Sequence, residues 1–124
     1  MNSDKKILIV DDDRNVRKST RRLLFINGLM NVAEAGGVTE AENIIKDFCP
    51  DLILVDIGMP DRKGYELCMD IKDDPDKKKI KIIGISGYAG GIGEAFMQAC
   101  GADCFFEKPF DSDQLVRKIF ELLG

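Results

Sequence analysis

The side chains best suited to chemistry in this chain are carboxylates, with one lysine and one hydroxyl beside them in the pattern. Asp11, Asp12 and Asp13 directly follow the apolar run Ile7–Val10, and Asp56 directly follows Leu52–Val55. Ser86 ends a third run, Ile80–Ile85, and Lys108 follows a fourth segment, Cys104–Glu107. If neighbouring strands bring these ends together, the carboxylates repel and at least one pKa rises. A hard divalent cation relieves that repulsion. Magnesium takes oxygen ligands and keeps several waters, so one or two carboxylates and a backbone carbonyl suffice. Beside such a cation Asp56 can act as a nucleophile toward a phosphoryl group, with Lys108 and the Ser86 hydroxyl holding its oxygens. Positioning and charge stabilisation carry most of the catalysis in phosphoryl transfer. The product is an aspartyl phosphate on Asp56.

Taken singly, each residue has a plainer reading. An acidic run after a strand often opens a helix, a lysine before Pro109 suits a loop, and a serine after a strand suits a turn. Their recurrence at successive strand ends gives the set its meaning, so the elements that place them matter.

Unbroken apolar runs such as Ile7–Val10 and Leu52–Val55 suit strands buried on both faces, as in parallel sheets. From Arg14 the spacing predicts a helix with Val16, Thr20, Leu23 and Leu24 inward, Asp13 at its N-cap and Gly28 at its end. Arg14, Arg17, Lys18, Arg21 and Arg22 then form a basic surface, read as a solvated face or a dock for an acidic partner. Asn31–Glu34 reads as a weak edge strand. Thr39–Phe48 reads as a helix with Ala41, Ile44, Ile45 and Phe48 inward, closed by Pro50. Tyr65, Leu67, Cys68 and Ile71 suggest a third helix, and the charged stretch 73–79 a solvated loop. After Ser86 come Gly87, Gly90, Gly91 and Gly93, read as a mobile loop rather than a nucleotide cradle. A short helix is expected over roughly Glu94–Ala99. Asp111 with Gln114 resembles a capping box for a last helix that buries Leu115, Val116, Ile119 and Leu122. Five strands alternating with five helices predict an α/β fold, a doubly wound parallel sheet with helices on both faces. An open sheet of that kind places its chemistry outside the carboxyl ends of its strands.

Composition narrows the classes. A chain of 124 residues with 44% hydrophobic and 32% charged content is one soluble domain with a real core. A net charge of −4 argues against nucleic acid or an anionic membrane as main partner. No apolar run reaches membrane-span length and the N-terminus lacks a signal peptide's apolar region, so a cytoplasmic location is expected. With no histidine, catalysis by serine or cysteine with a histidine base is excluded. Cys49, Cys68, Cys100 and Cys104 form no Cys-x-x-Cys pair, so zinc is not expected; they read as buried or half-buried thiols.

Over its whole length the chain resembles the response-regulator receiver domains of two-component signalling. The resemblance is carried by Ile-Leu-Ile-Val-Asp-Asp-Asp, by Asp-Leu-Ile-Leu-Val-Asp-Ile-Gly-Met-Pro, by the strand ending at Ser86, and by Lys108-Pro109-Phe110. It implies a single receiver domain over 1–124 with no output domain in it, and a flavodoxin-like sheet of order 2-1-3-4-5. It implies Asp56 as phosphoacceptor. Magnesium or manganese would be held by Asp11, Asp12, Asp56 and the Gly58 carbonyl. It implies Lys108 and Ser86 as phosphoryl-binding groups, Phe105 as the switch aromatic, and a cis bond before Pro109. Phosphorylation would bias a two-state equilibrium and reshape the face around the fourth helix, fifth strand and last helix. The donor would be a phosphohistidine on a kinase or histidine phosphotransfer protein, and the output a downstream protein target. Homodimers through the last helix are common in that family. Two departures stand out. Gly87 replaces a frequent alanine, and Gly58 and Tyr88 stand where some members carry polar groups that guide the hydrolytic water. A long-lived phosphoryl group is therefore expected. Two other readings are a haloacid-dehalogenase-type phosphatase, using Asp11 and Asp13, and a receiver-like binding module that works without phosphate.

Overall fold

A computed structural model of the chain describes residues 4–56, 64–87 and 101–124, the side chain of Tyr65 excepted. The order of elements is β1 (Lys6–Val10), α1 (Arg14–Ile26), β2 (Asn31–Ala35), α2 (Val38–Phe48), β3 (Leu52–Asp56), α3 (Gly64–Asp73), β4 (Lys81–Ser86), β5 (Cys104–Glu107) and α4 (Ser112–Leu123). The five strands form one parallel sheet in the order β2-β1-β3-β4-β5. Four helices lie among the described residues. The additional helix expected over 94–99 lies outside them.

The apolar runs explain why β1 and β3 are central. Leu8, Val10, Ile53 and Val55 point to one side and pack with Ala41 and Ile45 of α2 and Leu67, Cys68 and Ile71 of α3. Ile7, Ile9, Leu52 and Leu54 point to the other, against Leu24 of α1 and Leu115, Ile119 and Leu123 of α4. Alternation along the strand thus feeds two hydrophobic layers, and the helices divide between the two faces. β2, with its exposed Asn31 and half-buried Glu34, is an edge strand, as its weaker pattern predicts.

Capping sets where α1 begins and ends. The Asp13 side chain accepts hydrogen bonds from the N–H groups of Asn15 (2.8 Å) and Val16 (3.3 Å), and Gly28 takes a left-handed φ of 85° beyond the last turn. At the start of α4 the Asp111 carboxylate accepts from the Asp113 N–H at 2.8 Å, while Gln114 is exposed.

Two expectations need correction here. Leu123, not Leu122, completes the buried stripe of α4; Leu122 is half-buried. Leu115, Ile119 and Leu123 are spaced i, i+4, i+8, one of two stripes compatible with the helical period. Cys49 is exposed rather than buried, because it caps α2 in a left-handed conformation with φ 51°. Cys68 is buried, Cys104 half-buried, and Cys100 lies outside the described residues. No helix among the described residues is long and apolar enough to cross a membrane.

Candidate functional site

The parallel register brings the strand ends to one edge of the sheet. Val10 of β1 pairs with Val55 of β3, so Asp11 emerges beside Asp56. Asp56 pairs with Ile85 of β4, and Ser86 pairs with Glu107 of β5. The Lys108 N–H donates to the Ser86 carbonyl at 2.7 Å, extending that ladder by one residue. The chain then turns through a cis Lys108–Pro109 bond.

Carboxylate oxygens of Asp11, Asp12 and Asp56 lie within 4.8 Å of one another. Lys108 Nζ faces this group, 3.9 Å from Asp11 Oδ2 and 3.9 Å from Asp56 Oδ2. Among the described residues, Lys108 is the ammonium paired with Asp11 and Asp56, so the three carboxylates outnumber it. Asp11 bears the consequence. Burial pushes its carboxyl above the usual aspartate range, the hydrogen bond from the Asp13 N–H opposes this, and the nearby Asp56 charge adds to the rise. These are hard oxygen donors without nitrogen or sulfur. Such donors are those that a hard divalent cation such as magnesium prefers.

Asp11 is held at three of its atoms. Its N–H donates to the Ala35 carbonyl at 3.1 Å, its carbonyl accepts from Arg17 Nη1 at 2.7 Å, and its Oδ1 accepts from the Asp13 N–H at 2.8 Å. Oδ2 is the atom turned toward Lys108. Asp12 is exposed, as a ligand open to solvent exchange would be. Asp13 spends its carboxylate on the α1 cap and is not in the crowded group, which leaves the Asp11/Asp13 phosphatase reading without its second carboxylate.

Ser86 is fully buried at the end of β4. Phe105 is half-buried, pairs with Gly84 across β4–β5, and packs on the α2/α3 side of the sheet. Gly58, Tyr88, Gly90, Gly91 and Gly93 lie outside the described residues, and Gly87 is exposed.

The basic surface of α1 is exposed at Arg14, Lys18, Arg21 and Arg22, as a solvated face would be; Arg17 departs from that reading and is half-buried. Arg17 Nε donates to Glu34 Oε1 at 3.2 Å and Arg21 Nη1 to Glu34 Oε2 at 2.9 Å. Burial alone would raise the Glu34 carboxyl, but the hydrogen bonds from Arg21 and Arg17 outweigh it and hold it below its ordinary value. Arg17 was missed because an arginine after an acidic run looks like any helix surface residue. The available signal was geometric: Arg17 and Arg21 share a helix face at i, i+4, and Glu34 shares a strand face with buried Val32.

Comparison with known proteins shows the family. Residues 7–120 match the family model of the response regulator receiver domain. The chain is 34% identical over 122 residues to the response regulator MprA of a Mycobacterium species, covering 95% of this chain and 50% of that protein. It is 30% identical over 120 residues to the response regulator Rre1 of Synechocystis, covering 95% of this chain and 51% of that one. The chain thus spans about half the length of these relatives. Among solved structures, a CheY-like receiver domain protein from Methanospirillum hungatei superposes with a TM-score of 0.86 at 34% identity, covering 96% of this chain and 93% of that one. By the family match over nearly all of its length, this chain belongs to the response regulator receiver domains.

Proposed function

We propose that the chain is a phosphorylation-dependent signalling switch with Asp56 as phosphoacceptor. The observation that carries this is the placement of Asp11, Asp12 and Asp56 within 4.8 Å of one another, with the Lys108 ammonium 3.9 Å from Asp11 and from Asp56. Asp11, Asp12 and Asp56 would hold magnesium or manganese, with the Gly58 carbonyl as a further ligand. A bound divalent cation supplies charge neutralisation between the Asp56 carboxylate and an incoming phosphoryl group. An Asp56 oxygen then attacks phosphorus, the phosphorus–nitrogen bond of a phosphohistidine breaks, and the imidazole leaves with that electron pair. Lys108 holds one phosphoryl oxygen and the Ser86 hydroxyl another. Loss of Ser86 from its buried resting place is linked to reorientation of Phe105 on the adjacent strand, which changes the surface around β5 and α4. The donor is a histidine kinase or phosphotransfer protein in the cytoplasm, and the receiver's own chemistry is limited to this transfer and to hydrolysis of the acyl phosphate.

The switch is tested with beryllofluoride as a phosphoryl mimic, followed by amide chemical shifts. Shifts at Ser86, Phe105 and Lys108 that need magnesium and vanish in Asp56→Asn are expected. Unchanged spectra, with magnesium bound, would favour a module that works without phosphate.

A further inference from the structure

We propose that Arg17 is a positioning residue that sets the aim of the acidic loop, and that Glu34 is the post from which it acts. This rests on the reading of Asp11 and Asp12 as cation ligands. Asp11 is the first residue beyond β1 and has passed the end of the β1–β2 register, which stops at Val10 and Ala35. Its carbonyl therefore lacks a strand amide, and the Arg17 guanidinium takes that place at 2.7 Å. The same guanidinium is anchored on β2 through Glu34 Oε1 at 3.2 Å. Arg17 is largely shielded from solvent, its side chain 17% exposed, so the contact is a held one rather than a surface encounter. With N–H, carbonyl and Oδ1 of Asp11 all fixed, Oδ2 has one direction left, toward Lys108 and the space among the carboxylates. The planar fork of arginine can hold a carbonyl and a carboxylate at once, whereas a lysine ammonium is a single point charge on a flexible stem.

The sign of the effect separates positioning from simple electrostatics. Removing a cation near an anionic cluster should tighten divalent-cation binding through space, since one repulsion is lost. Releasing the Asp11 carbonyl should weaken it, because the groups that orient metal ligands typically contribute tenfold or more to affinity. Arg21 provides the control. It pairs with the same Glu34 at 2.9 Å but makes no contact with Asp11.

The test is Mn²⁺ titration, by the electron paramagnetic resonance of the free ion, on wild type and on Arg17→Ala, Arg17→Lys, Glu34→Gln, Arg21→Ala and Asp12→Asn. Amide exchange at Asp13 is followed in metal-free protein. The expected result is about a tenfold loss of affinity in Arg17→Ala, partial recovery in Arg17→Lys, a smaller loss in Glu34→Gln and little change in Arg21→Ala. The Asp13 amide should exchange faster in Arg17→Ala. Unchanged or tighter Mn²⁺ binding in folded Arg17→Ala, with Asp12→Asn abolishing binding, overturns the role of Arg17 alone. Equal losses in Arg17→Ala and Arg21→Ala reduce it to general stability and also overturn it. No Mn²⁺ binding by wild type overturns the cation site itself, and this role with it.

Discussion

Replacing Asp11 by asparagine should make the cation-free protein more stable at neutral pH. The Asp11 side chain is 7% exposed, so its charge has lost most of its water. At an effective dielectric near 20, a like-charge pair no farther apart than 4.8 Å costs at least about 3.5 kcal/mol, and an opposite pair at 3.9 Å gains about 4 kcal/mol. Repulsion from Asp56 therefore offsets most or all of the attraction to Lys108. What remains is the cost of burying the charge and a screened repulsion from the exposed Asp12. Part of that is offset, because the bond from the Asp13 N–H is stronger to a carboxylate than to an amide. The net gain for Asp11→Asn is about 1–2 kcal/mol, or roughly 3–8 °C in Tm for a domain of this size. The pH dependence follows from the raised carboxyl of Asp11. A carboxyl whose pKa is higher in the folded state costs nothing below its unfolded value of 3.8, and destabilises increasingly as pH rises through the folded value. The advantage of the variant should therefore vanish in acid. Saturating magnesium should narrow or invert it at neutral pH, because wild type gains more from binding. The assay is thermal unfolding in chelator and in magnesium, across pH. A loss of Tm for Asp11→Asn in chelator at neutral pH would refute the reasoning, since it would mean that the Lys108 pairing outweighs burial and repulsion together.

Other outcomes follow from the same structure. Glu34→Gln should cost about 1 kcal/mol at neutral pH. Because the Glu34 carboxyl is depressed, that stability is present above its ordinary 4.5 and lost as pH falls through the folded value, so urea titrations of the two proteins should converge in acid. Lys72→Met should destabilise by about 1–3 kcal/mol, because Lys72 Nζ serves the carbonyls of Lys78 (3.2 Å) and Ile80 (2.7 Å) and the Asp103 carboxylate (3.0 Å). An unchanged unfolding midpoint would show that water replaces the ammonium at little cost. Under native conditions Cys49 should react with iodoacetamide well before Cys68, by peptide mapping, since one is exposed and the other buried.

Much of this architecture is legible in the sequence, for reasons that can be named. Ile7–Val10 and Leu52–Val55 must be buried on both faces, and that alone makes them inner strands. Asp13 and Gly28 bracket α1 through local chemistry. Residues at the ends of parallel strands lie along one edge, which puts Asp11, Asp56 and Lys108 on the same edge; which of them meet depends on strand order. Sheet order is different. Periodicity does not fix it, and it came from the resemblance to receiver domains. Contacts that depend on which of two stripes faces the core were also hidden. Leu122 and Leu123 are both apolar and adjacent, and only packing against β1 and β3 selects Leu123. The tie from Arg17 to the Asp11 carbonyl needs the height of α1 over β2, which no single segment contains. Cys49 is a hydrophobe by composition, but the left-handed cap it forms turns it outward.

The most direct test is intact-mass analysis after incubation with acetyl phosphate, with magnesium, with chelator, and on Asp56→Asn. The account predicts one added phosphoryl group that requires both magnesium and Asp56. A label that persists on Asp56→Asn, or that forms equally well in chelator, would contradict it.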